Sequence, residues 1–199
     1  MTAVGQGRAN QKLRTRTAIL DAAGRLARSG APVTMPEVAR AALVSEVTAY
    51  RYFPDLRSLL AETIAGLWPT AAEALAPVAG SADPVERVAL AADVLLRGVV
   101  AYQGAVRAMI AATITQPGTA QTRPAIRFQL IDLALDPRRL AAAPPPEVLA
   151  ALKRQLGVVI SAESLFCLTD RFGLCADDAI ASITGMASTL TSAAMGARG

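Results

Sequence analysis

The chain has 199 residues, of which 53% are hydrophobic, and it carries a formal net charge of +4. This length and composition allow a substantial core in one or two domains and exclude a largely disordered chain. The sequence contains no histidine, which excludes His-dependent triads, His-ligated metal sites and imidazole acid–base catalysis. The two cysteines, Cys167 and Cys175, do not support a disulfide scaffold or a zinc site, and we expect no cofactor.

Hydrophobic periodicity predicts an all-α fold. Ala, Leu and Arg recur at helical spacing almost throughout, whereas no convincing stretch alternates with the period of two that strands show. We expect about nine helices, three of them in an N-terminal domain over residues 1–60 and the rest in a domain over residues 61–199. Residues 1–10 contain two glycines and no periodic pattern, so we expect them to be disordered.

The first helix is predicted from an apolar stripe that ends before residue 30. Its members recur at three- and four-residue spacing, which places them on one face of a helix. They are Ile19, Ala22, Ala23, Leu26 and Ala27. The stripe predicts a helix that packs one side against the rest of the N-terminal domain.

Residues 34–57 contain the signals of two short helices joined by a tight turn. Thr34 and Glu37 have the spacing of a capping box, in which the Thr hydroxyl caps one backbone N–H and the Glu carboxylate reaches back to another. Ser45 is the next good N-cap, so only about three residues separate the two helices. Asp55 is predicted to cap the helix that follows. This arrangement predicts a helix-turn-helix motif.

The second helix of this motif is predicted to have a buried side and an exposed side. Ala49 and Phe53 are four residues apart and are expected to pack inward. The outward residues suit a DNA major groove, because Arg pairs with guanine, Thr and Val contact thymine methyl groups, and Glu accepts from cytosine. These residues are Glu46, Val47, Thr48, Tyr50 and Arg51. Tyr50 and Tyr52 are expected to donate to phosphates or stack; alternatively, both are half-buried core residues and Arg51 is a solvated charge.

The segment from Thr34 to Leu60 resembles the DNA-binding region of the TetR family of transcriptional regulators. The positions that fit the family pattern are Thr34, Val38, Ala39, Ala42, Val44, Ser45, Tyr50, Tyr52, Phe53, Asp55 and Leu59. The resemblance implies a DNA-binding surface centred on the motif. Its candidate residues are Thr34, Ser45, Glu46, Val47, Thr48, Tyr50, Arg51, Tyr52 and Arg57.

Three positions depart from the family pattern. Leu43 stands where the family has Gly, so either a non-Gly residue adopts the left-handed conformation at a cost of about 1 kcal/mol or the turn differs. Ala49 stands where a larger aliphatic residue is usual. Leu56 replaces the Lys that contacts a DNA phosphate in the family, and Arg57 is our candidate to supply that charge.

The positive charge is concentrated in the N-terminal domain. Residues 1–60 contain nine Lys and Arg against four Asp and Glu, a net charge of +5, whereas residues 61–199 contain eleven against twelve, a net charge of −1. Such a concentration suits phosphate binding, since counterion release supplies much of the nonspecific affinity for DNA. Lys12, Arg14 and Arg16 are therefore candidate phosphate contacts; the alternative is a solvated basic segment.

Six helices are predicted from residue 56 onward. The first of them is expected from Leu56 to about Leu75, kinked or ended at Pro69. The others are expected at about 84–102, 105–115, 124–134, 147–170 and 176–195, with a proline-rich loop over 136–146.

The last predicted helix indicates assembly. Residues 179–197 contain no charge, yet their serines and threonines make a membrane span unfavourable. A helix that is apolar on nearly all sides must be covered on all sides, one of them by a partner. The TetR resemblance implies a dimer in which the last two helices pair with their copies. The candidate interface residues are Ile180, Ile183, Ala187 and Leu190.

The resemblance also implies a ligand pocket among the helices of the C-terminal domain. No motif there identifies the ligand, so the candidates are bulky or polar groups on these helices. They are Trp68, Tyr102, Arg107, Met109, Phe128 and Phe166. For each, ordinary core or surface packing is the alternative.

These features predict a ligand-responsive, DNA-binding transcriptional regulator that acts in the cytoplasm. Repression is implied by the family: a homodimer binds an inverted-repeat operator in double-stranded DNA, and a small-molecule effector releases it. An enzyme is the weaker hypothesis, because the sequence offers neither histidine nor a Gly-rich phosphate loop. A dimeric scaffold that has lost DNA binding is the third, and it depends on the departures at Leu43 and Leu56.

Overall fold

The computed structural model describes residues 3–29, 33–66, 68–115 and 125–196, and this part of the chain is helical without strands. Within these ranges eleven α-helices follow one another: α1 (Ala3–Arg28), α2 (Met35–Ala41), α3 (Glu46–Tyr52), α4 (Leu56–Ala65), α5 (Ala71–Ala74), α6 (Pro84–Ala101), α7 (Gln103–Thr115), α8 (Ile126–Ala134), α9 (Pro146–Val159), α10 (Ala162–Phe172) and α11 (Ala176–Gly196). Short 3-10 helices occupy Ala76–Val78 and Pro137–Arg139. The all-α prediction is confirmed.

The chain forms two compact units rather than two consecutive domains. The first unit comprises Met1–Leu67 and Tyr102–Pro124, and the second comprises Trp68–Ala101 and Ala125–Gly199. The predicted boundary at residue 60 therefore falls inside α4. Helix α7, which was expected in the C-terminal domain, belongs to the first unit.

The core of the first unit forms where α1 packs against α2, α4 and α7, and where α2 packs against α3. Four members of the predicted stripe on α1 are buried, and Leu26 is half-buried. The helix begins at Ala3, so the residues that were expected to be disordered are helical from there onward; Met1 and Thr2 lie outside the described residues. Extending a helix that is already formed costs far less than nucleating one, which explains the added turns.

The second unit is built around α6 and α11. These two helices pack along each other, α11 also contacts α9 and α10, and α8 bridges α5, α6 and α9. Arg87 of α6 is 1% exposed, and its guanidinium donates to the carbonyl oxygens of Ala134 (2.9 Å), Val78 (2.8 Å), Leu133 (2.7 Å) and Ser81 (3.3 Å). A buried cation thus joins the end of α8 to the turn before α6.

Two predicted helices are each divided. The helix expected from Leu56 to about Leu75 ends at Ala65, and Thr70 opens the separate helix α5 through a complete capping box with Glu73. The helix expected over 147–170 is interrupted between α9 and α10. Ser161 accepts from the Ser164 backbone N–H at 3.1 Å and so caps a new helix. These local hydrogen bonds compete with the continuous helix.

Among the described residues, no individual helix has the length and apolarity that a membrane span requires, although α6 and the first part of α7 meet that criterion when taken together.

Candidate nucleic-acid interface

Polar caps define the two helices of the helix-turn-helix. The Thr34 hydroxyl accepts from the Glu37 backbone N–H at 3.4 Å and donates to the Glu37 carboxylate at 3.1 Å. The predicted cap is thus present, but the carboxylate binds the hydroxyl rather than the Thr34 backbone. The Ser45 hydroxyl accepts from the Thr48 backbone N–H at 3.2 Å. Thr34 and Ser45 are exposed, and each fixes where its helix begins.

The turn between α2 and α3 is a Schellman motif. The Val44 N–H donates to the Ala39 carbonyl at 3.0 Å, and the Leu43 N–H donates to the Arg40 carbonyl at 3.2 Å. This pattern places Leu43 at the position after the C-cap, where the backbone is left-handed. Its φ is 57°, and its side chain is 93% exposed. Of the two possibilities raised by the sequence, the strained leucine is the one found.

Helix α3 divides into the two sides that its sequence predicted. Ala49 is buried, as is Phe53 at the C-cap. The exposed residues are Glu46, Val47, Tyr50 and Arg51. Thr48 and Tyr52 are half-buried beside them. The exposed side therefore combines an acceptor, an apolar side chain, a phenol and a guanidinium within two helical turns, which are the groups that read base edges.

A cleft of about 530 Å³ separates the N-terminal half of α1 from α3. Its lining residues are Gln11, Lys12, Thr15, Val44, Thr48, Arg51 and Tyr52. Lys12 and Arg51 bring positive charge from the two sides, and the Arg51 guanidinium carbon lies 5.6 Å from the centroid of the Tyr52 ring. The cleft thus presents cations and hydrogen-bonding groups beside the exposed side of α3, an arrangement that suits a sugar–phosphate backbone.

Arg16 differs from the other predicted phosphate contacts. Its guanidinium donates two hydrogen bonds to the Glu62 carboxylate on α4. Its guanidinium carbon also lies 5.0 Å from the centroid of the Phe53 ring. The hydrogen bonds from Arg16 satisfy Glu62, and they raise the pKa of Arg16. Arg16 therefore links α1 to α4. Because the Glu62 carboxylate already balances its charge, Arg16 is less suited than Lys12 or Arg14 to bind a phosphate.

The start of α4 carries the remaining candidates. The Asp55 carboxylate accepts from the Ser58 backbone N–H at 2.7 Å and caps the helix as predicted. Partial burial acts to raise the pKa of Asp55, but the hydrogen bonds from Ser58 and the charge of Arg57 outweigh it, so the pKa lies below its ordinary value. Arg57 and Leu56 are half-buried. Lys12 and Arg14, which were predicted to contact phosphates, are exposed on α1.

The predicted ligand-binding residues do not belong to one unit. Tyr102, Arg107 and Met109 lie in the first unit, where Met109 is buried and Arg107 is exposed. Trp68, Phe128 and Phe166 lie in the second. These six candidates were chosen by residue type along the sequence. They fall into two groups because the segment that contains α7 belongs to the first unit. Neither unit therefore contains a pocket lined by all six.

The predicted dimer-interface residues also need correction. Ile180, Ile183 and Ala187 are buried within the protomer, where α11 packs against α6 and α9, and Leu190 is half-buried. A partner subunit has no access to the three buried side chains. The exposed residues of α11 between Ala179 and Gly196 are Ala181, Ser182, Gly185, Met186, Thr189, Ser192 and Ala193. None of them is charged.

Sequence reasoning missed Gln11 and Thr15 as part of the cleft. Together with Lys12 they recur at three- and four-residue spacing, which places them on one side of a helix. That signal was available, but residues 1–10 were expected to be disordered, so the helix was not extended far enough toward the N-terminus to connect these polar residues with α3.

Comparisons with known proteins agree with this geometry. Residues 19–63 match the family model described as bacterial regulatory proteins, tetR family, and this range contains the whole helix-turn-helix. Among solved structures, the chain is similar to a TetR transcriptional regulator from Rhodococcus sp. RHA1, with a TM-score of 0.53 and 24% identity over 90% of this chain and 97% of that chain. At this identity the structural match supports the fold. No curated protein matches the sequence significantly.

Proposed function

We propose that the chain, whose residues 19–63 match the tetR family model, is a DNA-binding transcriptional regulator and a ligand-responsive repressor. In this proposal a homodimer binds an inverted-repeat operator and leaves it when a small molecule binds. The observation that carries the proposal is the exposed side of α3, where Glu46, Val47, Tyr50 and Arg51 face solvent beside a cationic cleft. The proposed compartment is the cytoplasm, where a regulator of this kind would meet its DNA.

DNA binding begins with α3 in the major groove. The N-terminal residues of a recognition helix meet base edges, and neighbouring cations bind the phosphates on either side. Arg51 is the proposed guanine contact, because a guanidinium donates to O6 and N7 together. Lys12 and Arg14 on α1 are the proposed phosphate contacts. Arg16 has no such role, since Glu62 accepts its hydrogen bonds.

Dimerisation uses the exposed side of α11 in this proposal. The seven exposed residues between Ala179 and Gly196 are small or apolar and carry no charge, although 18% of the chain is charged. Small side chains allow two helices to approach closely, and a two-fold axis brings the same surface of both subunits together. A symmetric dimer carries two recognition helices related by that axis, so the half-sites should form an inverted repeat.

Effector release is proposed to act through α7. The chain passes between the two units at residues 67–68, 101–102 and 124–125. Helix α7 follows α6 directly and packs against both α1 and α4 of the DNA-binding unit. A ligand that moves the end of α6 in the second unit would therefore shift α7 through the chain itself. Moving the dimer from about 99% to about 1% in the binding-competent state needs a differential affinity of about 5.5 kcal/mol, and partial release needs less.

Selection of binding sites from random double-stranded DNA tests the proposal. We expect the purified protein to enrich an inverted repeat, and Arg51→Ala to weaken binding by about 1–3 kcal/mol per half-site while relaxing the preference at one symmetric position. Arg154→Ala is the matched control, because Arg154 is an exposed arginine of α9 in the second unit. Failure to enrich any sequence, even at low salt, would reject specific DNA binding and favour a dimeric scaffold.

A further inference from the structure

Exposed apolar side chains cluster at the helix-turn-helix. Eight large hydrophobic residues are exposed among the described residues, and three of them fall within residues 43–50. Leu43 is 93% exposed and Val47 is 80% exposed, while Tyr50 is 47% exposed. Leu43 and Val47 contribute little to the core, because nearly all of their surface faces solvent. We call Leu43 and Val47 the apolar pair.

Leu43 is maintained at a cost to stability. Its φ of 57° lies in the left-handed region, where glycine is unstrained and a residue with a side chain is not. The hydrogen bonds of the turn come from backbone groups alone, so glycine would make the same turn. Strain that the fold does not need is characteristic of functional positions. A contact outside the protomer would account for a leucine at this position.

Val47 occupies the first turn of α3, two residues after the N-cap Ser45. Valine is a poorer helix former than alanine, because its branched side chain loses rotamer freedom in a helix. With 80% of its surface exposed, packing does not offset that cost. The first turn of a recognition helix is the part that reaches base edges, and Leu43 precedes it by three residues.

The surroundings of the apolar pair favour DNA over an apolar protein surface. Residues 1–60 carry a net charge of +5, and the exposed cations Lys12, Arg14 and Arg51 lie on the two helices that form the cleft. This charge complements a phosphate backbone and disfavours a dry apolar interface. The major groove offers one apolar group, the 5-methyl of thymine, and otherwise presents hydrogen-bond donors and acceptors.

We infer that the apolar pair reads thymine methyl groups in each operator half-site. Leu43 and Val47 then specify A·T pairs at two positions, while Arg51 specifies a G·C pair elsewhere in the same half-site. This inference rests on the proposed DNA binding and adds a base preference to it. Leu43 becomes a specificity-determining residue that a glycine at the same position could not replace.

Replacing thymine by deoxyuridine in the selected operator tests the inference from the DNA side. Deoxyuridine keeps every hydrogen-bonding group and lacks only the 5-methyl. At about 0.8 kcal/mol per buried methyl, each replacement at a contacted position should weaken binding about fourfold, and the symmetric replacement in both half-sites about fifteenfold. Val47→Ala should abolish the sensitivity at one position and Leu43→Gly at the other. Val158→Ala is the control, since Val158 is an exposed valine of the second unit.

The outcomes separate this inference from the proposal on which it rests. An enriched operator whose affinity no deoxyuridine replacement changes would overturn thymine reading while leaving DNA binding intact. If Leu43→Gly weakens binding equally with and without the methyl groups, Leu43 contacts the backbone instead, and its assignment is rejected. Absence of any enriched operator rejects the proposed function itself. Thermal unfolding of Leu43→Gly should show an unchanged or raised Tm, which excludes misfolding as the cause of weakened binding.

Discussion

The link between Arg16 and Glu62 predicts that Arg16 stabilises the fold and does not bind a DNA phosphate. The Arg16 and Glu62 side chains are 41% and 39% exposed, respectively, so solvent screens their attraction and limits it to about 1 kcal/mol even with two hydrogen bonds. The contact with the Phe53 ring at 5.0 Å adds about 0.5–1 kcal/mol. Arg16→Met, which keeps the apolar stem, should therefore lower the free energy of unfolding by about 1–2 kcal/mol.

A double-mutant cycle with Glu62→Gln isolates the ion pair from the other contacts of Arg16. Urea unfolding of the wild type, both single variants and the double variant should give a coupling energy of about 0.5–1 kcal/mol. The same variants should be measured for DNA affinity across salt concentrations. The slope of log K against log salt concentration measures how many phosphates the protein contacts. Lys12→Met should reduce the magnitude of this slope by about 0.9 per subunit, the effect of one lost phosphate contact, whereas Arg16→Met should leave the slope unchanged. A coupling energy near zero, or a slope for Arg16→Met that matches Lys12→Met, would refute the structural role.

Three further predictions concern stability and assembly. Arg87→Met should destabilise the second unit by about 3 kcal/mol, because it leaves buried carbonyl groups without donors; the exposed control Arg154→Met should change stability by less than about 0.5 kcal/mol, and similar losses for both variants would contradict this. Gly185→Glu should convert the proposed dimer to monomers in analytical ultracentrifugation, whereas Gly80→Glu, which also has open space around it, should not; a dimeric Gly185→Glu would place the interface elsewhere. The folded-state pKa of Asp55 is depressed, so its ionised form stabilises the fold above the unfolded pKa of about 3.9, and this contribution is lost as the pH falls through the folded pKa. The stability difference between wild type and Asp55→Asn should therefore shrink in acid unfolding curves, and a difference independent of pH would reject the assignment.

The local features of the first unit could be predicted from the sequence because they depend on residues that are close along the chain. The caps at Thr34, Ser45 and Asp55 are formed with residues three positions later, so spacing alone indicates them. The burial of Ala49 and the exposure of Val47 follow from helical periodicity. Even the strain at Leu43 was one of two outcomes that the family pattern allowed.

The errors arose where distant segments decide the outcome. Arg16 meets a carboxylate 46 positions later, and nothing in the spacing of charges indicates that pair. The apolar and small-residue sides of α11 were both visible in the sequence. However, which of them the protomer buries depends on how α6 and α9 pack, and the buried one is Ile180, Ile183 and Ala187. Periodicity identifies a face, whereas tertiary packing determines what covers it.

The return of α7 to the first unit limits how this protein can be recombined with others. A fusion made at residue 67 would carry α1 to α4 but omit Ala105, Val106 and Met109, which are buried in α7, and would uncover the surfaces of α1 and α4 that α7 contacts. A hybrid protein that keeps the first unit intact must therefore transplant residues 102–115 as well, as a second, separate insertion. Exchange of domains by a single crossover, whether in the laboratory or during evolution, would break the packing that supports the recognition helix.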